Sequence, residues 1–263
     1  MPYRIDLPDP PGEALDQLVT LGALDVELTQ RGLAALLPDA VSPTAVARTL
    51  GRERVAVSAA QGRDDNSVWV LTPRTVRTGR LLIVPAGTAA PAGSLTLHDG
   101  PAFGTGLHAT TALCLEALQE TLESDMPSAV LDVGTGSGVL ALAALLLGVP
   151  RATGLDIDPD ALQVAKENAM ANGLEGRLQL VKGGPDAVEG VWPLVLANVL
   201  AAPLIDLAPT VVKRVSGGGR LVLSGIQESM TQEVERAYTR LGMRTFRIDA
   251  RGGWTALVLQ PSW

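Results

Sequence analysis

The chain of 263 residues is long enough for one large α/β domain, or for a medium domain with a small companion, because single cores stop growing near about 250–300 residues. Its formal net charge of −7, with only three lysines (Lys166, Lys182 and Lys213) among scattered arginines, argues against a basic face for nucleic acid. One cysteine, Cys114, and two histidines, His98 and His108, exclude an internal disulfide and leave no expected metal site. No apolar run approaches the roughly 18 residues of a membrane span, and Met1 to Asp6 lacks the basic start of an export signal. A soluble, cytoplasmic protein is expected.

In chain order, the first 60 residues read as strand, helix, strand, strand, helix, strand. Tyr3 to Leu7 is a strand; Glu13 to Leu21 is a helix entered through Pro10-Pro11-Gly12 and left at Gly22. Ala23 to Thr29 and Leu33 to Leu37 flank the turn Gln30-Arg31-Gly32. Ser42 caps a helix that has Pro43 at its first position and ends at Gly51, and Arg54 to Ala59 is the last strand. This is the order of a small ferredoxin-like α+β domain, predicted for residues 1–60 and expected to bind or position something. The polar, turn-rich stretch from Gln61 to Ser67 predicts a linker over residues 61–70.

Residues 71–263 form the second predicted domain. Two β-like stretches, Arg80 to Val84 and Ser94 to His98, are separated by a Pro- and Gly-rich segment. From Ser128 onward, apolar strands alternate with amphipathic helices to the C-terminus, which predicts a mostly parallel, Rossmann-like sheet with helices on both faces.

Before that core comes Ala102-Phe103-Gly104-Thr105-Gly106-Leu107-His108-Ala109-Thr110-Thr111, leading into a helix from Ala112 to Leu122. Gly104 and Gly106 suggest a tight loop, Phe103 can cover an adenine or a substrate, and the hydroxyls of Thr105 and Thr111 can bond a carboxylate. Two readings of His108 are open: a base titrating near neutrality, or a hydrogen-bonding residue that only holds the loop.

Ala129 to Val133 then reads as a buried parallel strand and Val139 to Leu147 as a helix. Gly134, Gly136 and Gly138 lie between them, where free backbone N–H groups and the positive end of the helix dipole face a ligand. The spacing is G-x-G-x-G, with Asp132 two places before the first glycine, whereas dinucleotide sites use G-x-G-x-x-G. Dinucleotides are thereby disfavoured, not excluded. S-adenosylmethionine carries no phosphate, and its cationic amino acid end suits an acidic neighbour; Asp132 can equally order the loop. Asp156 closes the next strand, 22 residues after Gly134, near the offset at which a carboxylate meets ribose hydroxyls, although a solvated strand end would look the same. Asp158 with Pro159 starts the following helix.

Asn198 follows the strand Leu194 to Ala197, at the carboxyl end of the sheet where open α/β folds place their chemistry. Its amide oxygen can accept a hydrogen bond from a substrate amine and leave the nitrogen lone pair aimed at a methyl carbon. It can also be read as a helix cap before Pro203.

These residues resemble a known family, the bacterial ribosomal protein methyltransferases usually called PrmA, which modify the large-subunit protein L-eleven. The resemblance rests on Ala102 to Gly106 with His108, Thr110 and Thr111; on Leu131 to Ala141; on Gly154-Leu155-Asp156-Ile157-Asp158-Pro159; and on Ala197 to Ala201. It implies a seven-stranded methyltransferase domain, S-adenosylmethionine as cofactor, and repeated methylation of lysine side chains and the N-terminal α-amine of its ribosomal partner. It also implies a monomer whose N-terminal domain recognises the substrate. Carried over by motif, the cofactor residues are Phe103, Thr105, Thr111, Asp132, Gly134, Gly136, Asp156, Ile157 and Asn198, with Asn198 and His108 as the catalytic candidates.

The chain departs from the family pattern at His98-Asp99-Gly100-Pro101, at Ala86 where a tryptophan is common, and at Gly253 before Trp254. Its N-terminal region matches by element order more than by residues. Three other readings stay open: a lysine methyltransferase for another protein, a nicotinamide-dependent oxidoreductase, and a non-catalytic ribosome-assembly binder.

Overall fold

The computed structural model describes residues 2–29, 32–38, 40–59, 75–98 and 109–263. The chain divides into two compact units, Met1–Arg74 and Thr75–Trp263. The linker expected at residues 61–70 lies outside the described residues.

In the first unit, β1 (Tyr3–Leu7), α1 (Ala14–Thr20), β2 (Asp25–Thr29), β3 (Gly32–Leu37), α2 (Pro43–Thr49) and β4 (Ala56–Ala59) build a sheet in the order β2-β3-β1-β4. Every neighbouring pair is antiparallel. The two-residue period along β1 buries Ile5 and Leu7 and leaves Asp6 exposed. Ile5, Leu7, Leu33, Ala35 and Leu37 share one core with Leu18 of α1 and Val46 of α2. Helix α2 starts where capping chemistry predicts: Ser42 Oγ accepts from Ala45 N at 3.2 Å, and Pro43 occupies the first turn.

In the second unit, β5 (Val76–Thr78), β6 (Leu81–Pro85) and β7 (Leu95–Leu97) form a small sheet. Then come α3 (Ala109–Ser124), β8 (Val130–Val133), α4 (Val139–Leu146), β9 (Ala152–Asp156), α5 (Pro159–Ala171), β10 (Leu178–Lys182), β11 (Trp192–Asn198), α6 (Ala201–Val212), β12 (Val215–Gln227), α7 (Thr231–Thr239), β13 (Met243–Arg251) and β14 (Trp254–Pro261). The large sheet runs β10-β9-β8-β11-β12-β14-β13. Its first five strands are parallel, and β14 is antiparallel to both neighbours.

Helices cover both faces. Leu115 and Leu118 of α3, the wholly apolar α4 and Leu81, Ile83, Leu95 and Leu97 of the small sheet share one core with Val130, Leu196 and Val258. Leu204 and Val211 of α6 pack on the other face with Val234 and Tyr238 of α7, against Leu131, Val195 and Leu223. Helix α4 buries every residue from Val139 to Leu145, as expected of a helix apolar all round.

The alternation of strand and helix stops one element earlier than the sequence pattern suggests. No helix separates β13 from β14; the two form a hairpin across Gly252-Gly253, so the sheet is mixed. A Gly-Gly pair between two strand-like runs is itself a hairpin signal. Among the described residues no helix is long and apolar enough to cross a membrane.

Candidate functional site

The chain winds outward from β8 through β9 to β10, then returns to place β11 on the other side of β8. That reversal opens a crevice at the carboxyl ends of β8 and β11, where an open α/β sheet receives its ligand. The glycine loop leaves β8 at this crevice, Asp156 ends β9 beside it, and Asn198 ends β11 across it.

Gly134 turns the chain out of β8 with a φ of +70°, and a Cβ there would stand 2.5 Å from Val199 Cγ1. The residue is glycine for two reasons, the left-handed backbone and the close approach of the Asn198 loop. Further along, Gly136 N donates to Asp156 Oδ2 at 2.9 Å, and Thr135 N donates to Leu155 O at 2.8 Å. The other oxygen of Asp156, Oδ1, accepts from Asp158 N at 3.0 Å. Asp156 therefore ties the loop to the end of β9. Helix α4 begins at Gly138 without a side-chain cap. Next to Asp156, Ile157 is 77% exposed, an apolar surface at a strand end.

Asp132 is fully buried. Its Oδ2 accepts from Thr135 Oγ1 at 2.7 Å and from Ala141 N at 3.2 Å, while Oδ1 has no hydrogen-bond partner among the described residues. Burial pushes its carboxyl up to about 6; the Thr135 and Ala141 hydrogen bonds oppose this, and the nearby Asp156 adds to it. One oxygen of Asp132 thus orders the loop, and the other is buried with no donor among the described residues.

Asn198 does not cap α6, whose N-cap is Leu200. Instead Asn198 Nδ2 donates to Thr111 Oγ1 at 3.3 Å, and its buried Oδ1 has no partner among the described residues. A buried amide oxygen left unpaired is costly, about 1–3 kcal/mol, and such atoms concentrate where a ligand supplies the missing donor. Leu200, two residues on, is 64% exposed.

The end of β12 supports this loop, and the sequence reading missed it. Ser224 Oγ, fully buried, donates to Thr110 O at 3.1 Å, and Ser224 pairs in register with Asn198. Gly225, with a φ of +82°, lies under the backbone of Val199: a Cβ would fall 2.3 Å from Val199 O. An isolated glycine inside a strand pattern was the available signal. Gly225→Ala is expected to lose about 1–3 kcal/mol of stability and to displace Asn198. Denaturant titration checks it, and a Gly225→Ala protein as stable as the parent would mean that the loop yields freely.

The structure thus brings Thr111, Asp132, Gly134, Gly136, Asp156, Ile157 and Asn198 to one end of the sheet. Phe103, Thr105 and His108 lie outside the described residues. The arrangement offers a glycine cradle, two carboxylates suited to a cation and to hydroxyl groups, an exposed apolar side chain, and an amide oxygen awaiting a donor.

Comparison with known proteins gives the family. A family model described as "Ribosomal protein L11 methyltransferase (PrmA)" matches residues 42–262. A protein of that name from Pelobacter propionicus is 41% identical over 214 residues, covering 78% of this chain and 69% of the relative. One from Myxococcus xanthus is 34% identical over 282 residues, covering 97% of this chain and 96% of the relative. The crystal structure of a ribosomal protein L11 methylase from Lactobacillus delbrueckii subsp. bulgaricus superposes with a TM-score of 0.67 at 30% identity, over 72% of this chain and all of that one.

Proposed function

The chain belongs to the ribosomal protein L11 methyltransferase family, and from that membership we propose that it moves methyl groups from S-adenosylmethionine to amines of ribosomal protein L11. The acceptors in this reading are lysine side chains and the N-terminal α-amine. The observation that carries it is the buried Oδ1 of Asn198 at the sheet's switch point, which has no partner among the described residues.

The residues fit S-adenosylmethionine. The glycine cradle and Asp156 suit its ribose, exposed Ile157 suits its adenine, and the unpaired Oδ1 of Asp132 suits its cationic end. When bound, it supplies a methyl group already activated by a sulfonium centre. Asn198 Oδ1 accepts an N–H of the target amine and fixes the direction of the nitrogen lone pair. Thr111 holds the Asn198 amide so that its oxygen, and not its nitrogen, faces the site. As the new C–N bond forms, the methyl's bond to sulfur would break and the sulfur would keep the pair as a neutral thioether; the nitrogen becomes positive and then loses a proton to solvent or to a base, for which His108 is the candidate.

In this reading the first unit, of ferredoxin-like topology, holds the ribosomal substrate, residues 61–70 link it to the second, and the enzyme acts as a cytoplasmic monomer. The test is mass spectrometry of ribosomal proteins from cells with and without the gene, paired with labelled methyl donor added to extracts of the deleted strain. L11 is expected to lose mass in steps of one methylene without the gene and to be the main labelled band. An unchanged L11 mass, or a dominant label on another protein, would sink the substrate assignment.

A further inference from the structure

One buried amide joins the glycine loop to a strand end that the sequence keeps far from it. Asn168, on α5, is fully buried. Its Oδ1 accepts from His98 N at 2.6 Å, just past β7, and its Nδ2 donates to Ser137 O at 2.8 Å, inside the glycine loop. One turn later, Asn172 makes a second clamp on the same strand. Its Oδ1 accepts from Thr96 N at 2.8 Å and its Nδ2 donates to Thr96 O at 2.6 Å. The two amides grip β7 alike, but only Asn168 also reaches the glycine loop. An asparagine suits the place because one planar group offers an acceptor and a donor in opposite directions.

We infer that Asn168 is a positioning residue for the methyl transfer, fixing the glycine loop and the exit of β7 in one register. His98 is the last described residue before the segment that carries Phe103, Thr105 and His108. Breaking the bridge removes the Asn168 hydrogen bonds to Ser137 O and His98 N at once. Breaking the Asn172 clamp frees β7 alone. The inference rests on the proposed S-adenosylmethionine site, and its test includes a readout that needs no cofactor.

Three variants separate the roles: Asn168→Ala, Asn168→Asp and Asn172→Ala. By calorimetry near pH 8, Asn168→Ala is expected to weaken S-adenosylmethionine binding about tenfold, and Asn172→Ala less than about threefold. Asn168→Asp keeps an acceptor for His98 N but turns a second oxygen toward the Ser137 carbonyl. Its binding is expected to be weak near pH 8 and to approach that of the parent at the same pH near 5.5, where a protonated carboxyl can donate. Asn168→Ala stays weak at both.

Amide hydrogen exchange supplies the second readout. Asn168→Ala is expected to speed exchange in residues 95–98 and 134–138 together, and Asn172→Ala in residues 95–98 only. Equal effects of the two alanine variants, an Asp variant without recovery at low pH, or unchanged exchange in the glycine loop would each overturn the inference. If the parent protein binds no S-adenosylmethionine, the proposed function falls instead, and the exchange pattern still decides the role of Asn168. Should Asn168→Ala fail to fold, Asn168→Asp carries both readouts.

Discussion

Asn198→Ala is expected to lower kcat for methyl transfer by about 10²–10³-fold while leaving the Kd for S-adenosylmethionine within about threefold. Among the described residues the amide oxygen has no partner, so in the proposed reaction its contribution goes to the incoming amine and is lost in the variant at every pH. Asn198→Asp is expected to behave differently. It keeps an acceptor, and the Thr111 hydroxyl can donate to it in place of receiving the amide proton. Its added negative charge favours the ammonium form of the target, so the acidic limb of the pH–rate profile moves to higher pH. Single-turnover rates across pH separate the two variants. Equal rates for Asn198→Ala and the parent would remove Asn198 from the chemistry.

The second large effect lies at Asp132, where stability and binding are expected to change in opposite directions. Its carboxyl, at about 6 when folded against an ordinary value of 3.8, holds its proton in the folded state through a pH range where the unfolded chain has lost it. Below pH 4 both states are protonated and no penalty exists. As pH rises through that range the penalty grows, reaching about 3 kcal/mol above pH 6 and then holding level. Asp132→Asn removes it. An amide oxygen still accepts from Thr135 and Ala141, but the amide NH₂ takes the place of an oxygen that has no partner, at about 1–2 kcal/mol. Stability curves for the two proteins are therefore expected to cross: the parent is more stable near pH 4 and the variant near pH 8. Cofactor binding moves the other way. Loss of the carboxylate is expected to weaken S-adenosylmethionine about tenfold or more, and in the parent the affinity rises with pH through about 6. Curves that run parallel across that range would show that Asp132 is not the titrating group.

The parts of the site that could be read from the sequence are those whose partners lie close along the chain. The glycine spacing, Asp132 and the Asp158 cap all belong to segments of a few residues, and Asp156 lies one βα unit away. Topology rules then placed Asn198 at the right end of the sheet, but left its two readings unresolved. Its Thr111 partner is 87 residues distant, and only the packed structure shows that its oxygen goes unmatched. Asn168 gave less still. In α5 it reads as one polar residue in a polar helix, because its partners lie 31 and 70 positions away. Its spacing of four from Asn172 was the only local hint. The β13–β14 hairpin escaped because a helical alternation that holds for several units is easily extended one unit too far, past a Gly-Gly pair that argued otherwise.

The strand order β12-β14-β13 has a consequence for synthesis. β14 is made after both of its neighbours, yet it lies between them and supplies β13 with its pairing partner. Until β14 has been made, β12 shows an open flank and β13 lacks its pairing partner, although the strands β8 to β11 are already encoded upstream. The sheet therefore cannot close until β14 is available, and a chain truncated within residues 252–261 is expected to show an unpaired β12 flank and to aggregate.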